Sequence, residues 1–205
     1  MSLWKGFPYH QTIKINDDLT VYMKDAGHIL GSAMLEFHYN GKNILFTGDL
    51  GNSPSPLLRD TEDIAGTDYL IMESVYGDRN HESRDERKEL FKKVIMDNYH
   101  RKGSLIMPTF SLERSQELLF EINNLLRNKE IPEMPVYLDS PLAIKLTDVY
   151  HKHSECFNPD ARARIKSGDD IFDFPGLKIT SETDESKAIL HSSNPKIIIA
   201  GSGMS

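Results

Sequence analysis

The tightest constraint in this chain is a two-residue turn. Asn40-Gly41 lies between two apolar runs, 33–39 and 42–47, and Asn-Gly is the pair best suited to the left-handed residues of a type I′ hairpin. Pairing across that turn sets Tyr39 opposite Lys42, and because side chains alternate faces along a strand, this one contact fixes all the others. Carried to the strand ends, the register brings Asp49 level with Ser32, beside the loop Gly27-His28-Ile29-Leu30-Gly31-Ser32. His28 and Asp49, far apart in sequence, are therefore predicted to converge at one end of a sheet. Each has a neighbouring glycine that would let backbone approach a ligand closely. An imidazole and a carboxylate placed so suit a divalent zinc or manganese ion. Taken alone, a loop histidine and a turn aspartate would need no such role.

The pattern changes near Tyr76. Before it the chain reads as strands: Leu19, Val21 and Met23 alternate, the hairpin follows, and Tyr69 to Met72 forms another run. After it, helices alternate with strands. Ser83 with Glu86 three residues on makes a capping box, with Leu90, Phe91, Val94 and Ile95 as one apolar face and Gly103 as the stop. Ser104 to Met107 reads as a buried strand. A second helix from about Ser111 carries Leu112, Leu118, Leu119, Ile122, Leu125 and Leu126 at helical spacing. Val136 to Leu138 is the next strand, and Ser140-Pro141 opens a helix through about Tyr150. Leu177 to Thr180 and Lys196 to Ala200 complete the strands. Such alternation predicts a parallel α/β unit from about Arg79 onward, in which ligands bind beyond the carboxyl ends of the strands.

With 205 residues, one domain or two can be built, and 39% hydrophobic with 27% charged residues excludes a disordered chain. The single cysteine, Cys156, excludes a disulfide framework and a thiolate zinc site, and suits a cytoplasmic protein. No secretory pattern opens the chain and no apolar stretch approaches the ~20 residues of a membrane span. A net charge of -7 argues against wrapping nucleic acid over the whole surface, while leaving room for a local basic groove.

Several segments carry a resemblance. Asp25-Ala26-Gly27-His28-Ile29-Leu30-Gly31-Ser32-Ala33 and Phe46-Thr47-Gly48-Asp49-Leu50-Gly51 resemble the third and fourth metal-binding motifs of the metallo-β-lactamase superfamily. Glu73-Ser74-Val75-Tyr76-Gly77-Asp78-Arg79, Pro108-Thr109-Phe110-Ser111-Leu112-Glu113-Arg114-Ser115-Gln116-Glu117, Asp139-Ser140-Pro141-Leu142-Ala143 and Ile199-Ala200-Gly201-Ser202-Gly203-Met204 resemble its β-CASP branch, in that family's order. The resemblance implies an α/β chain with part of a metallo-β-lactamase β-sheet in residues 1–78, followed by a β-CASP domain in 79–205, incomplete at its C-terminal side. It further implies a zinc-dependent nuclease, endo- or exo-, acting on single-stranded RNA. In that family the histidine matching His28 ligates one zinc and the aspartate matching Asp49 bridges two, so that a metal pair clamps the attacking and leaving oxygens of a phosphodiester. The glutamate matching Glu73 orients a histidine that protonates the leaving oxygen. Arg114 and Ser140, each at a helix start, and Ser202 with Gly203, after a buried strand, are candidate RNA phosphate contacts. For Arg114 an ion pair with Glu117, and for Ser140 a simple cap, account for the residues as well.

His151 and His153 have a familiar ligand spacing, but on a helix residues two apart face different ways, so they read as surface. The upstream His-x-His-x-Asp-His cluster and the downstream ligand and catalytic histidines of the family have no counterpart in the sequence. The chain is therefore expected to be a central fragment, with weak or no metal occupancy and no activity by itself. Two other readings remain: a non-catalytic RNA-binding or scaffold homologue, and a hydrolase of small esters. An incomplete sheet with open edges is also expected to favour a homodimer.

Overall fold

The computed structural model describes residues 3, 5–79 and 83–202. The chain divides into two compact units, Met1–Arg79 with Cys156–Asn158, and Asn80–Glu155 with Pro159–Ser205.

In the first unit, β1 (Thr12–Lys14), β2 (Leu19–Asp25), β3 (Ala33–Tyr39) and β4 (Lys42–Phe46) form an antiparallel meander, and β5 (Tyr69–Ile71) closes the order β1-β2-β3-β4-β5. Asn40 and Gly41 both have positive φ, 48° and 72°, as a type I′ turn requires. The ladder runs from Tyr39↔Lys42 to Leu35↔Phe46, the register expected from the turn. What the pattern did not foretell is that β5 pairs with β4 in parallel, since parallel neighbours need a long connection. Here that connection, residues 47–68, carries no helix; it buries Leu57 and Leu58. Residues 156–158 are stitched onto it. Leu58 bridges Phe157, and the Asn158 side-chain amide donates to the Ser55 and Pro56 carbonyls, 3.1 Å each.

Ala26, Met34 and Leu45 are fully buried at the end of this sheet, with Leu50 packed on them. Two loops cross there. Gly51 donates its N–H to the Ala26 carbonyl at 2.8 Å, and a β-carbon added at Gly51 would lie 2.0 Å from the Gly27 carbonyl oxygen. Gly27, at φ 64°, is hemmed in on its other side by the backbone of residues 59–61. These glycines thus permit backbone to approach backbone, where the sequence suggested room for a ligand. Asp25 is buried and accepts from Gly27 N at 2.9 Å; burial pushes its carboxyl pKa up.

The second unit holds α1 (Arg84–His100), β6 (Ser104–Phe110), α2 (Arg114–Arg127), β7 (Val136–Asp139), α3 (Pro141–Lys152), α4 (Pro159–Lys166), β8 (Leu177–Ile179), α5 (Thr183–Ala188) and β9 (Lys196–Ser202). The strands form one parallel sheet in the order β6-β9-β7-β8. Strand β9, last in the chain, is inserted between β6 and β7. Its Ile197 and Ile199 are fully buried, with Val136 and Leu138 of β7 beside them.

Four expectations fail here for identifiable reasons. Of the α1 face only Ile95 is buried, while Leu90 and Val94 stay exposed, because α1 packs on β6 and β6 is a sheet edge. For the same reason β6 is not a buried strand: Ile106 and Phe110 are exposed. Helix α2 begins at Arg114 and not near Ser111, because Glu113 adopts φ 65°, its buried carboxylate accepting the Tyr150 hydroxyl proton. Lys102, at φ 51° and not Gly103, supplies the left-handed residue after α1. Ser83 and Ser140 cap as expected, accepting from Glu86 N and Ala143 N, both at 3.2 Å.

Two outcomes follow for the first unit. Gly51→Ala is expected to push the two loops apart and cost about 1–3 kcal/mol, read as a lower denaturant midpoint; an unchanged midpoint would contradict the close crossing. Asp25, with its pKa raised above 3.8, contributes stability that is complete below that value and is lost as pH rises through the folded one. Asp25→Asn keeps an acceptor for Gly27 N without a charge. Its stability relative to the unaltered chain should therefore grow between about pH 3 and pH 7, and a pH-independent difference would refute the burial effect.

Candidate metal centre and phosphate-binding residues

The two loops that cross at Gly27 and Gly51 carry the candidate residues of the first unit. His28 sits in a turn stapled by Ser32, whose hydroxyl oxygen accepts from His28 N at 3.1 Å and Ile29 N at 3.2 Å. The Ser32 carbonyl in turn accepts from the Tyr9 hydroxyl at 2.7 Å. Burial, then the nearby Asp25 carboxylate, holds that phenol protonated well above its usual range. On the second loop Asp49 leaves β4 after Thr47 and Gly48. His28 Nε2 and Asp49 Oδ2 are 3.9 Å apart, and the two side chains are 38% and 75% exposed. The convergence read from the hairpin register is present, and a cation can reach it from solvent.

Which nitrogen of His28 is available is decided by Leu50. His28 Nδ1 lies 3.2 Å from the Leu50 carbonyl oxygen. A carbonyl only accepts, so Nδ1 carries a proton, and Nε2 is the ring nitrogen that faces Asp49. Leu50 N donates to Glu73 Oε1 at 2.5 Å. Glu73 lies two residues beyond β5 and its own N–H donates to Thr47 Oγ1 at 3.3 Å. Glu73 is therefore bonded to the loop that presents Asp49.

The donor set fits a divalent zinc ion in kind. It offers one imidazole nitrogen, Nε2, on a ring held by a backbone carbonyl on its far side, the usual support for a ligating histidine, and one solvent-facing carboxylate. Two ligands at ordinary zinc distances and a tetrahedral angle stand about 3.3 Å apart, so turning the exposed Asp49 side chain closes the gap. Among the described residues no group of three or more His, Cys, Asp and Glu side chains gathers to hold a metal. His28 and Asp49 form a pair.

The second unit brings Ser140 and Gly201 together with Ser111 at the carboxyl ends of β6, β9 and β7. Ser140 Oγ lies 3.2 Å from Ser111 Oγ, both residues being buried. A β-carbon on Gly201 would stand 2.4 Å from Ser140 Oγ and 2.6 Å from Ser111 Oγ, so only glycine fits. The Ser140 hydroxyl is thus occupied in capping and packing. Arg114 Nη1 is 2.5 Å from Glu117 Oε2, the ion pair open to it from the sequence. Ser202 falls within β9, opposite Phe110; Gly203 lies outside the described residues. His151 and His153 do not converge. The first stacks on Phe172 at 5.1 Å with Asp170 3.3 Å away, and the second pairs with Glu155 at 3.0 Å.

Leu50, Ser32, Thr47 and Tyr9 were not legible as site residues. Leu50 and Thr47 act through a backbone group or a hydroxyl bonded to backbone, which leaves no side-chain signature in the sequence. Ser111 had one signal, its place at the end of a strand in a parallel sheet.

Residues 115–205 match the Beta-Casp domain family. A ribonuclease of Thermus thermophilus is 31% identical over 186 residues, covering 91% of this chain and 43% of its own length. An RNase J-like protein of Methanocaldococcus jannaschii is 34% identical over 200 residues, covering 96% of this chain and 45% of its own length. Cleavage and polyadenylation specificity factor subunit 3 of Dictyostelium discoideum is 33% identical over 172 residues, 83% of this chain and 22% of that protein. The chain spans less than half the length of these relatives. Residues 115–205 thus belong to the Beta-Casp domain family, and the chain, with a mixed sheet that presents the His28 and Asp49 loops and a parallel α/β unit after it, is similar over both parts to proteins named as ribonucleases.

Proposed function

We propose that the chain is the central segment of a zinc-dependent nuclease that hydrolyses phosphodiester bonds of single-stranded RNA during RNA processing in the cytoplasm. The observation that carries this reading is the convergence of His28 Nε2 and the Asp49 carboxylate at a solvent-open mouth, with Glu73 bonded directly behind it. The relatives named ribonuclease and RNase J-like protein give the substrate class.

Zinc bound there would act as a Lewis acid on the phosphodiester and lower the pKa of water to near neutrality. This chain's own part would be to hold the ion with Nε2 of His28 and the carboxylate of Asp49. Glu73 uses Oε1 for Leu50, which leaves Oε2 to orient a proton-donating imidazole supplied from outside these residues. Arg114 would exchange Glu117 for an RNA phosphate, a swap favoured by its exposure and by the amino end of α2. Ser140 would act mainly through the helix it caps, and Ser202 and Gly203 are further proposed phosphate contacts. Remaining metal ligands would come from outside the chain, because one histidine and one shared carboxylate fall short of the three or four donors each ion needs.

Two measurements test this. The isolated 205-residue chain with zinc and labelled single-stranded RNA is expected to release no product; robust cleavage that vanishes in Asp49→Ala would overturn the incompleteness of its ligand set. The same segment within a protein of its relatives' length is expected to cleave that RNA and to stop on chelation. There Asp49→Ala should lower the rate by more than the roughly 10- to 100-fold typical of losing a residue that merely supports a ligand. Full activity in the Asp49→Ala protein would contradict the nuclease reading.

A further inference from the structure

We infer that a groove in the second unit, between α3 and the outer strand β8, docks one arginine side chain of a protein partner. Its lining shares no residue with the proposed metal ligands or phosphate contacts, so it stands apart from the nuclease reading.

The groove lies wholly within the second unit. Its floor is apolar, built from Leu119 of α2, Leu138 of β7, Ile144 of α3, and Leu177 and Ile179 of β8. Because β8 is a sheet edge, Ile179 is left 54% exposed, and covering such a side chain with an apolar stem is favourable. The volume is about 210 Å³, below the roughly 300–1,000 Å³ of sites that enclose a whole small molecule. A space of that size takes one side chain.

The rim is acidic. Asp148, Asp170 and Asp173 line it, and all three are exposed. The fold turns this chain's own lysines away from them. Leu177 and Ile179 face the groove, so Lys178 between them points to the other side of the sheet, where its Nζ lies 5.4 Å from the centre of the Tyr137 ring. On α3, Ile144, Thr147, Asp148 and His151 form one stripe at helical spacing, and Lys145 and Lys152 fall outside it. Among the described residues His151 is the one basic group of the lining, and its place is already set. Its ring stacks on Phe172 with centroids 5.1 Å apart, and its Nε2 is 3.3 Å from Asp170 Oδ1.

The occupant that complements this surface is apolar along its length and cationic at its tip. Arginine has that form: its methylene stem covers apolar surface while the charged head stays at the wet rim, and its planar fork can meet carboxylates with paired hydrogen bonds. It is also among the side chains that most often anchor a protein interface. The same three carboxylates repel phosphate, which separates this groove from an RNA track past Arg114.

The probe is the capped tripeptide acetyl-Ala-Arg-Ala-amide, titrated near neutral pH into the 205-residue chain carrying NMR labels on its isoleucine and leucine methyls. Saturable shifts are expected at Ile144, Leu177 and Ile179, while Leu90 and Ile106, exposed elsewhere in the unit, stay still. Citrulline in place of the arginine keeps the shape without the charge and should bind at least tenfold more weakly. Asp148→Asn, Asp170→Asn and Asp173→Asn combined should weaken the arginine peptide by about tenfold, each exposed pair contributing up to a few-fold. Unmoved signals from the buried Ile197 and Ile199 would show that this variant is folded. Absence of shifts at the groove methyls, equal binding of the citrulline peptide, or undiminished binding to the folded triple variant would each overturn the inference. Saturation by spermidine with no response to the arginine peptide would overturn it too, by assigning the groove to a small amine.

Discussion

The candidate metal centre depends on the crossing of two loops at Gly27 and Gly51, pinned by Leu50. A hairpin ladder alone ends at Leu35↔Phe46, short of both candidate ligands, so the strands cannot by themselves hold His28 to Asp49. What holds them is the absence of two side chains, which lets Gly51 close on the Gly27 carbonyl, and the presence of one, the Leu50 side chain on Ala26, Met34 and Leu45. Once that contact forms, the backbone of Leu50 reaches Glu73 on one side and His28 on the other. Packing, backbone hydrogen bonding and ligand orientation are then one event, and a change to any of them is felt by the others.

The second unit solves a different problem with the same materials. Its parallel sheet places the ends of β6, β9 and β7 side by side, and the polar residues there satisfy one another: Ser140 caps α3 and meets Ser111, while Gly201 leaves just the room the two hydroxyls need. A buried glutamate, Glu113, at a left-handed φ sets where α2 begins, and with it the place of Arg114. These are conditions for presenting a helix end and a guanidinium in fixed positions, which is what a polyanion's phosphates require.

How much of this could be read from residues alone varied with the range of the interaction. The Asn40-Gly41 turn and the Ser83 and Ser140 caps are short-range devices, and each appears where its residues sit. The hairpin register, propagated to its end, brought His28 to Asp49. Contacts that depend on which layer covers an element were not legible: Leu90, Val94, Ile106 and Phe110 are as apolar as core residues, yet β6 lies at a sheet edge and leaves them exposed. Nor were the hydrogen bonds at Leu50, because they are made by peptide groups that every residue has. Glu73 could be singled out by resemblance to a family motif, but its bond to Leu50 N arises from β5 lying parallel to β4, a pairing that strand patterns do not announce.

The proposed function turns on His28 and Asp49 forming one cation-binding mouth. The most direct measurement is to add manganese in small amounts to isotope-labelled chain and follow the loss of side-chain NMR signals by paramagnetic broadening. His28 and Asp49 are expected to fade first and together, with Glu73 and Leu50 next, while His10, His38 and His151 persist. Broadening that begins at another histidine or carboxylate, with His28 and Asp49 untouched, would contradict it.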